Sequence, residues 1–293
     1  MTFGLVLISH GSPSQEWNAG MEAMACRVRE ALDSTGSNPF EIVKLAHLEF
    51  AKPTIADVCD EFESSGIDRI IALPIFISIS SHTNLDIPNA LNIGFNLDHE
   101  TDIRRYLGRL PITLCPPLDH GSVLPLVISE CAKDISVSPV TESALILSHG
   151  DGCEHFWNHL HRRIAASVTA VTGIQNVSWV VVQTGRSEAS KERFKAKVDE
   201  MLSNGCEKLL LLSCFTGLSG SQFLQRLTPR GGVADTRLIG DNGWASHPAV
   251  AEQMAHYAIK AAKAVQGEVE ELKDEDKKKL PPYNPPFWLT RDM

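Results

Sequence analysis

The sequence predicts an α/β fold made of two tandem repeats, each a mostly parallel four-stranded sheet flanked by helices. Short aliphatic runs alternate with amphipathic stretches, the pattern of strands that crossover helices cover on both faces. At 293 residues the chain is longer than one hydrophobic core usually organises. Finally, Ser9-His10-Gly11 recurs as Ser148-His149-Gly150, each time at the end of an aliphatic run.

The first half reads as strands over Phe3–Ser9, Ile42–Leu48, Arg69–Phe76 and Ile112–Cys115. Helices are expected between them at Trp17–Leu32, Pro53–Ser64, Thr101–Leu107 and Val123–Ala132, with Pro53 in a first-turn position that needs no N–H. The second half repeats the order, with strands at Ala144–Ser148, Val177–Val182, Lys208–Phe215 and Thr236–Ile239. Its helices begin near Glu154, Glu188 and Ser219, and a last one runs from Pro248 to Val265.

His10 and His149 are 139 positions apart, and the same offset brings Glu49 onto Glu188, Gly66 onto Gly205, Asp68 onto Glu207, Arg69 onto Lys208 and Phe76 onto Phe215. Self-similarity at one fixed offset indicates duplication. The expected domains are residues 1–138, residues 139–265 and a tail of residues 266–293, with the boundary in the turn chemistry of Ser136–Glu142. The tail turns charged, then runs Pro281-Pro282-Tyr283-Asn284-Pro285-Pro286-Phe287-Trp288. It reads either as a disordered terminus or as an extended segment docking on an apolar groove, its own or a partner's.

Composition excludes several classes. A net charge of −9 offers no basic face for nucleic acid, and an acidic small molecule would need a local cluster of donors. No apolar run is long enough to span a bilayer, the N-terminus lacks a basic leader region, and seven scattered cysteines form no C-x-x-C pair. A cytoplasmic location is expected.

Ligands of open α/β sheets collect at the carboxyl ends of the strands. There the sequence places His10 after the first strand, Glu49 after the second and His82 after the third. Two imidazoles and a carboxylate suit divalent Fe, Co, Ni or Zn and leave coordination positions open, which fits transfer better than storage. Imidazole can also accept a proton near neutrality. Metal insertion into a free-base macrocycle expels two N–H protons and needs both abilities. His47 is a weaker supporting candidate.

Ser-His-Gly after the first strand, Leu48-Glu49-Phe50-Ala51-Lys52-Pro53-Thr54-Ile55, and Pro74-Ile75-Phe76 with Ser78, His82 and Asp86-Ile87-Pro88 together resemble the class II tetrapyrrole chelatases in the duplicated, two-domain form. The resemblance implies insertion of cobalt, iron or nickel into a sirohydrochlorin-type tetrapyrrole, as in cobalamin and sirohaem synthesis, without a nucleotide. It implies His10 and His82 as the metal-binding, proton-accepting pair with Glu49 assisting, a tetrapyrrole as partner, and a cleft between the halves. Ser78, Ser80, Ser81 and Thr83 are candidates for holding substrate carboxylates, or form an ordinary polar loop. The chain is expected as monomer or homodimer.

The second half departs from this pattern, since Ser221 stands where a counterpart of His82 would be. The expectation is a degenerate site that keeps His149 and Glu188. Cys153, His155, His159 and His161 crowd one helix start, either as a solvated surface with Phe156 and Trp157 packed inward or as a metal-delivery cluster. Competing functions are a metal or tetrapyrrole carrier, metal removal at the same site, and phosphotransfer through a phosphohistidine, although no Arg adjoins His10 in sequence.

Overall fold

The computed structural model describes residues 1–78, 80–93, 102–118, 121–149, 154–182, 188–217, 219–227, 236–268 and 289–291. In chain order the elements are β1 (Phe3–Ser9), α1 (Gln15–Ser34), β2 (Phe40–His47), α2 (Ile55–Ser64), β3 (Arg69–Pro74), a π-helical turn at His82–Asp86, α3 (Ile87–Ala90) and β4 (Ile112–Leu114). They continue as α4 (Val123–Ile135), β5 (Glu142–His149), α5 (Glu154–Thr172), β6 (Asn176–Val182), α6 (Glu188–Ser203), β7 (Lys208–Cys214), α7 (Gly220–Leu227), β8 (Leu238–Gly240), α8 (Pro248–Val265) and β9 (Leu289–Arg291). Among the described residues no helix is long and apolar enough to cross a membrane.

The first sheet has the order β2-β1-β3-β4-β9 and the second β6-β5-β7-β8. All pairings are parallel except β4 with β9, so two four-stranded parallel sheets share one topology, and the first carries an added antiparallel edge. The central strand β1 is buried along its whole length, which explains why its sequence is a continuous apolar run rather than an alternating one. One core layer beneath the first sheet joins Val6, Ile8, Ala46, Ile70 and Ala72 to Val58, Cys59 and Phe62 of α2. In the second sheet Leu145, Leu147, Leu209 and Leu211 pack against Phe194, Val198 and Met201 of α6.

Strand register bears on the repeat directly. Leu5 pairs with Ile71, and 139 positions later Ala144 pairs with Leu210. Gly66 and Gly205 both take positive φ, +77° and +85°, before β3 and β7, a conformation glycine adopts without a Cβ penalty. The offset does not hold throughout. Ser9 pairs with His47 and Ser148 with Val181, so β2 and β6 correspond at an offset of 134. Glu188, the first residue of α6, is therefore not the sheet counterpart of Glu49, which follows β2 by two residues.

Packing units and sequence repeats also differ. One compact unit comprises Met1–Gly121 with Ala251–Met293, the other Ser122–Val250. The turn at residues 136–142 lies inside the second unit, where Glu142 accepts from Ser136 Oγ (2.6 Å) and the Val137 and Ser138 N–H groups (2.9 and 3.0 Å). Helix α4 packs with α5 and β7.

Helix starts follow side-chain caps. Ser14 Oγ accepts from Trp17 N (3.3 Å), and Thr54 opens α2 with a reciprocal box in which Asp57 takes the Thr54 N–H (3.0 Å). That N–H holds the Asp57 carboxyl well below the usual range. Pro53 thus stands before the cap rather than in the first turn. The helix expected at residues 101–107 is absent over the described residues 102–107: Tyr106 N bonds to Ala90 O (2.8 Å), its ring is buried, and its hydroxyl donates to Glu63 (2.9 Å). Long-range anchoring outweighs local periodicity there. Of the tail, residues 269–288 lie outside the described residues, and β9 docks as a strand on β4.

Candidate functional site

Three loops at the carboxyl ends of β1, β2 and β3 are laced together by backbone hydrogen bonds. Leu48 N donates to Ser9 O (2.8 Å), Glu49 N to His10 O (2.9 Å), and Ile75 N to Ile8 O (2.6 Å). Gly11 allows this approach. Its φ is +82°, and a Cβ there would lie 1.9 Å from the Glu49 carbonyl oxygen, so only glycine fits. The third residue of Ser-His-Gly is thus a steric requirement of the second loop.

This lacing brings the predicted residues together. His10 Nε2 lies 3.8 Å from Glu49 Oε2, with each side chain about one-third exposed. The His10 and His82 rings meet edge-on with centroids 4.8 Å apart, and Phe76 flanks both at 6.4 and 6.0 Å. The trio stands as two adjoining pairs. Among the described residues no three His, Cys, Asp or Glu side chains converge as a ready-made metal cage.

Both imidazoles are oriented through the same nitrogen. His10 Nδ1 is bonded to the Gly11 carbonyl (2.9 Å), an acceptor only, so Nδ1 carries the proton. His82 Nδ1 is bonded to Asp86 Oδ2 (2.7 Å). With the carboxylate ionised, the proton again sits on Nδ1, so that in the neutral form of each ring the lone pair is on Nε2. Asp86 received no role from the sequence, although its i, i+4 spacing from His82 was a usable signal. A π-helical turn spaces the two residues, its Ile87 N–H donating to His82 O five residues back, and such turns often mark functional sites.

The hydroxyl candidates divide. Ser80 N donates to Thr83 Oγ1 (2.8 Å), Thr83 Oγ1 donates to Ser80 O (3.2 Å), and Thr83 N donates weakly to Ser80 Oγ (3.5 Å), so both hydroxyls take part in the turn. Ser78 and Thr83 are buried, and Ser81 is exposed. His47 is buried and bonded to Ser9 Oγ through Nδ1 (2.8 Å), and burial lowers its pKa against the opposing charge of Glu22. It braces the ends of β1 and β2.

The second unit repeats the brace. Ser148 Oγ is bonded to His161 Nε2 (2.7 Å), and His161 is buried, stacked at 21° on Trp157 and tilted against Trp179. Burial pushes the His161 pKa down to about 3. His161 is therefore a core residue, not part of a solvated or metal-delivering surface, while Trp157 packs inward as expected. Glu188 is 76% exposed and paired with Lys191 (2.6 Å). Ser221 Oγ donates to Gly240 O (2.7 Å). Cys153 and the side chains of His149, His155 and Phe156 lie outside the described residues. Asp241, buried, accepts from Gly220 N (2.6 Å) and Ser213 N (3.2 Å), and burial raises its pKa to about 6.

Comparison with known proteins places these features. The model of the CbiX family matches residues 4–135, which include His10, Glu49, His82 and Asp86. The sirohydrochlorin cobaltochelatase of Saccharolobus solfataricus is 32% identical over 116 residues, covering 39% of this chain and 81% of that protein. The one of Methanococcoides burtonii is 26% identical over 135 residues, covering 45% and 95%. A solved structure, SirB from Bacillus subtilis with Fe3+, superposes with a TM-score of 0.63 at 15% identity over 92% of this chain and 98% of SirB. At that identity the likeness concerns the fold, and it extends through the second half.

Proposed function

Because the chain belongs to the CbiX family of class II tetrapyrrole chelatases, metal-inserting enzymes of the lyase class, we propose that it inserts cobalt, iron or nickel, as the divalent ion, into sirohydrochlorin or a close relative without a nucleotide. The observation that carries this reading is the shared orientation of His10 and His82, whose Nδ1 atoms are bonded to Gly11 O and Asp86 Oδ2 and whose Nε2 atoms are left for chemistry.

The metal is a substrate here. Exchange of a divalent ion for two pyrrole protons requires donors that hold the ion briefly and bases that take the protons. In their neutral forms His10 and His82 supply nitrogen lone pairs, and Glu49, 3.8 Å from His10 Nε2, supplies the charge that favours an incoming cation and stabilises His10 once protonated. Two adjoining pairs rather than a closed cage suit an ion that must leave for the macrocycle. Among Ser78, Ser80, Ser81 and Thr83, Ser81 is the exposed residue. The same carboxylate of Glu49 disfavours the phosphohistidine alternative, since it would repel a phosphoryl group at His10. In this reading the first repeat, residues 1–138, carries the site and the second is degenerate.

The test is an anaerobic absorption assay of sirohydrochlorin with Co2+, Fe2+ or Ni2+. We expect a rate above the spontaneous reaction that falls at least about 100-fold in His10→Ala and His82→Ala. A rate equal to the spontaneous one, or unchanged in both variants, refutes the assignment. Tight macrocycle binding without turnover would instead identify a carrier.

A further inference from the structure

We propose that Phe50 is a stacking residue for the tetrapyrrole, its phenyl ring holding the flat macrocycle over His10 so that the pyrrole nitrogens face the two Nε2 atoms. This inference rests on the chelatase reading and assigns a role to a residue outside the ligand set.

Three observations converge on Phe50. Its side chain is 65% exposed, although a large apolar ring ordinarily gains from burial. Its φ is +59°, in the left-handed region that costs a bulky L-residue roughly 1–2 kcal/mol and that Gly or Asn would occupy more easily. Ala51 N donates to Glu49 O (2.7 Å), closing a strained three-residue γ-turn with Phe50 at its tip. Backbone strain and solvent exposure both disfavour a phenyl group at this position, so its benefit has to come from something other than the folded chain itself.

Geometry supplies that benefit. The Phe50 ring centroid lies 5.8 Å from that of His10 at an interplanar angle of 37°. Phe76, partly buried against the core, stands 6.4 Å from the His10 ring and 6.0 Å from the His82 ring. The imidazole pair is thus bordered by one fixed and one exposed aromatic ring. A conjugated macrocycle is the substrate class that stacks on such an edge, which a hydrated metal ion cannot do. The γ-turn is locked in place, because the Glu49 carbonyl that closes it is the atom packed against Gly11. The neighbouring Lys52 amine is paired with Asp57 (3.0 Å), so the ring joins Glu49 as the loop's contribution.

The experiment titrates wild type, Phe50→Leu and Phe50→Trp with metal-free sirohydrochlorin, without metal, following the macrocycle absorption. Leu keeps an apolar side chain and the same backbone demand and removes only the ring. We expect Phe50→Leu to raise Kd about tenfold and Phe50→Trp to stay within about twofold of wild type. In the insertion assay Phe50→Leu should raise KM with kcat kept, as expected for a contact equal in ground and transition states. Equal Kd values for wild type and Phe50→Leu overturn the proposal, as does a Trp variant as weak as Leu. A change of association state on sedimentation, in place of a change in Kd, would make Phe50 a contact between copies and also overturn it. Failure of the wild type to bind refutes the chelatase reading itself, whereas binding indifferent to Phe50 refutes only the stacking role.

Discussion

Replacing Gly11 by Ala tests the join between the first two strand loops most directly. The added Cβ would sit 1.9 Å from Glu49 O, and Cβ atoms essentially never come within 3.0 Å of another atom, so the carbonyl must retreat by about 1.1 Å (3.0 − 1.9). That carbonyl belongs to the residue whose N–H donates to His10 O at 2.9 Å, so a retreat of this size stretches the bond beyond useful length. The left-handed φ of +82° adds roughly 1–2 kcal/mol for any residue with a Cβ. We therefore expect Gly11→Ala to lose about 2–4 kcal/mol in denaturant unfolding, from the strained φ plus one lost hydrogen bond. Turnover should fall about 100-fold, the loss that a displacement near 1 Å produces. Chemical unfolding and the insertion assay on one preparation check both. A variant that unfolds and turns over like wild type would refute the steric account of the Ser-His-Gly motif and the claim that it positions Glu49.

Asp86→Ala should reduce turnover about 10–100-fold with little change in unfolding midpoint, because it frees the His82 ring without disturbing the core. Asp86→Asn, which can still accept from Nδ1, should recover part of that loss, and equal activity in all three proteins would exclude a positioning role. His161 has its pKa lowered to about 3 from 6.5, so its stabilising effect is fully present above pH 6.5 and is lost as pH falls towards 3. The difference in stability between wild type and His161→Gln should therefore shrink on acidification, by up to about 1.4 kcal/mol per pH unit, in tryptophan-monitored urea unfolding. Asp241 works in the opposite sense, its contribution being present below pH 3.8 and lost as pH rises through about 6; taking the difference between two proteins that share it removes it. Thr54→Ala should cost about 1 kcal/mol by opening the capping box of α2, read as a shift in urea midpoint, and an unchanged midpoint would contradict the cap.

Much of this architecture was legible because parallel strands buried on both faces advertise themselves as aliphatic runs. Phe3–Ser9 is one such run, and the residue after it, His10, had to emerge at the sheet rim. Glu49 and His82 were legible for the same reason, each following a strand by a short loop. What escaped depends on backbone turned out of the ordinary or on partners distant in sequence. No composition rule places Phe50 at the tip of a γ-turn. The ungapped comparison that matched Glu49 to Glu188 could not register that Ser9 and its partner His47 stand 38 positions apart, whereas Ser148 and Val181 stand 33 apart, so that β6 comes five residues early. Helical periodicity at residues 102–107 lost to Tyr106 seeking Glu63 and Ala90. His161 looked like one of a surface cluster because its helix is rich in histidine, but its face of the helix meets Ser148.

The antiparallel strand β9 bears on how the protein is made. Leu114 at the edge of the first sheet pairs with Leu289, about 175 residues later in the chain, and Arg291 caps the arrangement over the Tyr106 ring and on Gly108 O. At ribosomal speeds of roughly 5–20 residues per second, the β4 edge waits about 10–35 s after emergence for its partner to be synthesised. During that interval a nascent chain exposes the open edge N–H and C=O groups that recruit foreign strands. Translation that stalls between β4 and β9 would therefore yield a sheet with its rim residues in place and its edge uncovered, a species prone to aggregate. A solubility tag or fusion partner attached after Arg291 would sit beside that edge during assembly, whereas one placed before Met1 would not.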